Sequence, residues 1–126
     1  MGMPAPLTDD PAAVIQRQLE AYNRKDIDAL LATYAPDAEQ YVLHGDRLAK
    51  GHAQLRQRML ARFAEPNLHA RLLSRTVMGA VVVDLEEVTR NFPEGNGRME
   101  MLCVYEVVEG RIARASFALG TPTLEG

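Results

Sequence analysis

Apolar residues recur in this chain with two different spacings, and the change falls at Glu65-Pro66-Asn67. Up to Phe63 most of them return every three or four positions, as on one face of a helix. From Leu68 onward they return in the short, β-branched runs of strands. Helices gathered early and strands gathered late define an α+β domain, in which helices pack on one face of an antiparallel sheet.

The local signals agree. Asp10 can cap a first helix and Pro11 suits its first position, where no amide hydrogen is needed. Ile15, Leu19 and Tyr22 form its apolar stripe, and Asn23-Arg24-Lys25 ends it, with Asn23 as the left-handed residue. Asp26 can cap a second helix with the stripe Ile27, Leu30, Leu31 and Tyr34, which Ala35-Pro36-Asp37 stops. Glu39 to Leu43 reads as a short strand, His44-Gly45-Asp46 as a turn and Leu48 to Gly51 as a small strand. His52 to Ala64 reads as a third helix carrying Leu55, Met59 and Phe63. Four strands follow, Leu68 to Val77, Ala80 to Asn91, Arg98 to Val108 and Arg111 to Leu119, the last two joined at Glu109-Gly110. Leu85-Glu86-Glu87-Val88 breaks strict alternation and predicts a bulge. Residues 1–10 read as a disordered or cloning-derived segment, 11–120 as a single domain and 121–126 as a loose tail.

Charge narrows the partners. Fourteen Lys and Arg against seventeen Asp and Glu leave a net charge of −3, and no basic block stands out. Neither nucleic acid nor an anionic membrane is expected as a partner. The single cysteine, Cys103, has no disulfide partner, and no Cys/His cluster has zinc spacing. The expectation is a cytoplasmic protein without metal or cofactor.

Four stretches resemble one known group. AYNRKDIDALLATYAPDAE is similar to the opening of nuclear transport factor 2-like domains, in the branch of SnoaL-like proteins and steroid delta-isomerase relatives. GHAQLR from Gly51 resembles the group's third-helix entry, VVDLE from Val82 its central strand, and YEVVEGRI from Tyr105 its closing hairpin. The resemblance implies a cone: a curved antiparallel sheet with three helices packed on one face, enclosing a cavity for a small, mostly apolar molecule. Ketosteroid isomerase, in the same group, uses an aspartate base and an oxyanion hole of a tyrosine and a protonated aspartic acid. The resemblance places those roles at Val42, Gln18 and Cys103. A valine moves no proton and a thiol is a poor donor, so that triad is absent.

The same placement puts Cys103 on the cavity face. Alternation brings Met101 and Tyr105 with it, and Phe117 and Leu119 on the last strand. Gln18, Tyr22, Tyr34, Val42, Met59 and Phe63 complete the expected lining. Three residues are candidates for catalysis. Tyr41 lies beside the position of the base, His44 titrates near neutrality, and Glu86 would have its pKa raised inside a cavity. If Val81, Val83 and Leu85 face the core, however, Glu86 lies on the outer sheet face, and only a bulge would turn it inward. Cys103 as a nucleophile would need a base that the sequence does not identify, so an inert buried thiol is the plainer reading.

Three functions stay open: an isomerase, cyclase or hydrolase working by acid–base catalysis, a module that binds a hydrophobic molecule without changing it, and an assembly domain. A homodimer through the sheet face is expected; it motivates the assembly reading and is compatible with the other two.

Overall fold

The structure, a computed structural model, describes residues 10–125; the expectation for residues 1–9 lies outside them. Helix α1 spans Pro11–Arg24, and the Asp10 carboxylate accepts a hydrogen bond from the Ala12 amide at 3.1 Å. The left-handed residue at its end is Lys25, with φ of 57°, not Asn23. Asn23 stays helical because its amide is used elsewhere. It donates to the Ala70 carbonyl at 2.8 Å and accepts from the Ala70 amide at 2.9 Å, tying α1 to an edge strand as a backbone unit would.

Helix α2, Ile27–Ala32, is capped by Asp26 through the Ala29 amide. Tyr34, expected on this helix, instead opens strand β1, Tyr34–Val42, and is buried there. The helix stops at Ala32, and the Thr33 carbonyl accepts from the Ile112 amide at 2.8 Å, so the chain leaves the helix along the strand that holds Ile112. Strand β2, Arg47–Lys50, leads into α3, Gly51–Phe63. Strands β3 His69–Met78, β4 Val81–Phe92, β5 Gly95–Val108, β6 Arg111–Leu119 and β7 Thr123–Leu124 follow.

The strands form one curved, unclosed sheet in the order β2-β1-β6-β5-β4-β3, with β7 added beside β5. Neighbours are antiparallel except β1 and β6, which run parallel. Residues 95–97 read as loop and 121–126 as a loose tail; in the structure Thr123 and Leu124 pair with Arg98 and Gly97, and β5 begins at Gly95. A Cβ on Gly97 would sit 2.6 Å from the Thr123 carbonyl oxygen, so this pairing needs glycine there.

Bulges set the curvature, but not where the sequence places one. β4 runs without a break against β5. The extra residue lies opposite, on β3, where Leu72 pairs with Glu86 and Ser74 with Leu85, leaving Leu73 unmatched. The inward face of β4 is therefore Val82, Asp84, Glu86 and Val88. The expectation that Val81, Val83 and Leu85 face the core, with Glu86 outside, is corrected. Register supplies the reason. Asp84 lies opposite Cys103 and Glu86 opposite Met101, and directly paired residues share a face.

The core sits between the concave sheet face and the helices. Val14, Ile15 and Leu19 of α1, Leu30 of α2, and Leu55, Met59 and Phe63 of α3 close on Val82, Tyr105, Ile112 and Ala115. Each large aliphatic or aromatic group buried this way contributes about 1.5–3 kcal/mol. That packing holds the helices off the far half of the sheet, where a space is left.

Candidate functional site

The space is a cavity of about 530 Å³ between the helices and the concave sheet face. Gln18 and Tyr22 of α1 line it, with Tyr34 and Val42 of β1, Met59 of α3, Met101 and Tyr105 of β5, and Phe117 and Leu119 of β6. Val42, Leu48 and Leu119 are well exposed and form the mouth. Two expected lining residues stand behind the wall. Phe63 packs edge-on against Tyr22, with ring centroids 5.7 Å apart, and Cys103 is fully buried.

The three candidates for catalysis separate. Tyr41 alternates out of phase with Gln40 and Val42. Its hydroxyl donates to Glu39 at 3.0 Å and its ring lies under the Arg114 guanidinium at 4.1 Å, outside the cavity. His44 is exposed in the turn after β1, with φ of 56°. Both are corrections: a strand offers only every second residue to one face, and the turn leaves the cone. Glu86 does line the cavity, 3% exposed.

Two carboxyl groups on β4 divide the available cation between them. Arg75 of β3 grips Asp84 with both arms, Nε to Oδ1 at 2.7 Å and Nη2 to Oδ2 at 2.9 Å, and its Nη1 reaches Gln16 at 3.0 Å. Glu86 is left without an ion pair among the described residues. Burial pushes its pKa up to about 7, the neighbouring Asp84 charge adds to this, and the Cys103 thiol, within hydrogen-bonding reach, holds it down somewhat. Burial also pushes the Cys103 thiol well up, so it is no thiolate near neutrality.

Three tyrosines share the cavity wall with this carboxyl. Burial raises Tyr22 to about 12 and pushes Tyr34 and Tyr105 well up too, so all three remain neutral. The Tyr105 hydroxyl donates to Gln18 across a long 3.4 Å. Tyr34 is set differently. Arg58 Nη1 donates to Gln40 Oε1 at 2.6 Å, which fixes the amide so that Gln40 Nε2 donates to the Tyr34 hydroxyl oxygen at 3.1 Å. The Tyr34 hydrogen is thereby left free, and a donor that already accepts a bond donates more strongly.

Gln40, Arg58, Arg62 and Arg90 are lining residues the sequence reading missed. Signals for two existed: Gln40 is two residues from Val42 on one strand, and Arg58 directly precedes Met59 on the α3 stripe. Among the described residues no cluster of His, Cys, Asp and Glu is arranged to hold a metal ion, and no helix is long and apolar enough to cross a membrane.

Three helices over a curved, unclosed sheet, with a cavity between the layers, place the chain in the nuclear transport factor 2-like class. Within that class it belongs to the SnoaL-like domain family, whose model matches residues 15–115. An uncharacterized cystatin-fold protein from Novosphingobium aromaticivorans superposes with a TM-score of 0.80 at 24% identity, over 93% of this chain and 99% of that one. A proposed polyketide cyclase from Sinorhizobium meliloti superposes at 0.70 and 26% identity, over 83% and 93%. A proposed ketosteroid isomerase from Kribbella flavida superposes at 0.76 but only 15% identity, over 92% and 82%, a likeness of fold. No curated protein sequence matches the chain.

Proposed function

We propose that the protein is an acid–base catalyst of the isomerase or cyclase type, acting on a small, largely apolar carbonyl compound. One observation carries this reading: Glu86 is a buried carboxyl without a counter-ion among the described residues, on the wall of a largely apolar cavity, with a pKa near 7. A group poised there both takes and returns a proton at neutral pH. As carboxylate, Glu86 removes a proton from the carbon next to the carbonyl. The free Tyr34 hydroxyl donates to the oxygen on which the charge develops. The enolate then either recovers the proton at another carbon or attacks a second carbonyl and closes a ring. The description of the Sinorhizobium meliloti relative fits the second outcome.

The test is hydrogen exchange. With 2-tetralone, an apolar bicyclic ketone, in D2O, the protein should speed deuterium uptake at the α-carbon. Glu86→Gln should slow that uptake about a hundredfold and Tyr34→Phe by a smaller factor, as read by NMR. Exchange at the wild-type rate in Glu86→Gln would reject the proposal.

The outer sheet face supports assembly alongside this activity. Val83 faces Val104, and Leu85 faces Leu102, which in turn faces Ala118, giving a partly exposed apolar stripe on the convex side. A homodimer would cover it; a monomer in light scattering at micromolar concentration would remove this part of the reading.

A further inference from the structure

One wall of the cavity is cationic, and its charges are unevenly matched. Arg58 and Arg62 lie one turn apart on α3, and Arg90 comes from β4. Glu65 serves the last two. It takes Arg90 on both oxygens at 2.8 and 2.9 Å, Arg62 at 3.3 Å and the Asn91 amide at 2.9 Å. That carboxylate has no capacity left for a third guanidinium.

Arg58 has no carboxylate within ion-pairing distance among the described residues. Its partners are the neutral Gln40 oxygen at 2.6 Å and the face of Phe117, 5.7 Å from the ring centre. A guanidinium carries five N–H donors, and Gln40 takes one of them. Burial and then the Arg62 charge both act against the Arg58 cation, so the side chain is held where it is not itself at ease. Glu86 does not serve as its counter-ion: the charges that act on that carboxyl are Asp84 and Arg75. Beside Arg58 the same cavity carries the apolar Phe117 ring, with Met59 and Leu119 also in its lining.

We infer that Arg58 anchors a carboxylate on the ligand, so that the cavity takes lipophilic organic acids in preference to neutral molecules of the same shape. An Arg beside an apolar surface, with donors free in a planar fork, matches a carboxylate on a hydrocarbon body. No ion pair joins the anchor to Glu86 among the described residues, so it orients the substrate without quenching that carboxyl. This inference names the substrate class for the site proposed above and rests on that cavity being the ligand site.

The experiment is calorimetric titration at pH 6.5 with two acid–amide pairs, decanoate with decanamide and 2-naphthoate with 2-naphthamide. The pairs separate a flexible-chain from a fused-ring body. In at least one pair the acid should bind wild-type protein about tenfold tighter than its amide. Arg58→Met keeps the apolar stem over Phe117 and should abolish the preference by weakening acid binding far more than amide binding; Arg58→Lys should restore part of it. Circular dichroism and thermal melting establish that each variant is folded, and the lysine variant serves if the methionine one is not. Glu86→Gln should keep the preference whether or not Glu86 is catalytic, so failure of the acid–base reading in the exchange test stays distinct from failure here. Equal binding of acid and amide in both pairs, a preference that survives Arg58→Met, or no binding of either acid at millimolar concentration would each overturn the inference.

Discussion

Asp84 and Glu86 stand two residues apart on the same face of β4, equally cut off from water, and they meet opposite fates. Asp84 lies where the edge strand β3 can reach over with Arg75, and it is held as half of a buried ion pair. Glu86 lies one pleat farther along, past the β3 bulge at Leu73, where no cation among the described residues pairs with it and the cavity opens. A strand can thus carry a structural charge and a chemically poised one side by side. What separates them is the neighbour, not the depth. The largest test of this contrast is to remove the neighbour. Arg75→Met leaves Asp84 buried without a partner and should cost about 3–5 kcal/mol in urea unfolding, with Arg75→Lys recovering part. A loss under about 1 kcal/mol would mean that the pair is not what makes Asp84 tolerable. The same change should push the Glu86 pKa up further, since Arg75 holds it down, whereas Asp84→Asn should lower it.

Glu86 gives the next effect. Its folded pKa of about 7 lies above the ordinary 4.5. Between those values the folded protein holds a proton that the unfolded chain releases. Stability should therefore fall as pH rises from about 4.5 through about 7, with the full penalty, about 3 kcal/mol, present above that range. Glu86→Gln should flatten this slope, leaving the variant close to wild type near pH 4.5 and more stable at pH 8, as read from urea midpoints across the range. Parallel curves for the two proteins would show that the carboxyl titrates like an exposed one, and the contrast with Asp84 would collapse.

How far the sequence shows this architecture differs between its two halves. The cap at Asp10, the α3 stripe of Leu55, Met59 and Phe63, and the Glu109-Gly110 hairpin are local, and each is read directly from spacing and turn chemistry. The inward face of β4 is not local. Val81, Val83 and Leu85 make the more apolar set, and they turn out to cover the convex face, while Asp84 and Glu86 go inside. Alternation gives two faces but not their assignment. Asp84 takes the buried one because Arg75, nine residues back across a turn, accompanies it, and Glu86 takes it with its pKa raised by burial. The hairpin register against Cys103 and Met101 held the answer, since those residues were already placed inward. Arg58 and Gln40 escaped notice for a related reason. Their meaning comes from a hydrogen bond between α3 and β1, which no single spacing reveals.

The smallest effect probes what remains between the two carboxyls. Cys103 lies directly across from Asp84 and approaches Glu86, and its thiol is one of the two influences that lower the Glu86 pKa. Cys103→Ala removes that donor and a little packing. It should cost about 1 kcal/mol and raise the Glu86 pKa further. Cys103→Ser offers a better donor in nearly the same place and should move the pKa the other way. Carbon-13 NMR titration of the Glu86 carboxyl reads both shifts. Opposite signs for alanine and serine would make the thiol a tuning group for the acid. If both variants leave the titration where it was, Cys103 only fills space, and burial beside Asp84 is enough to poise Glu86.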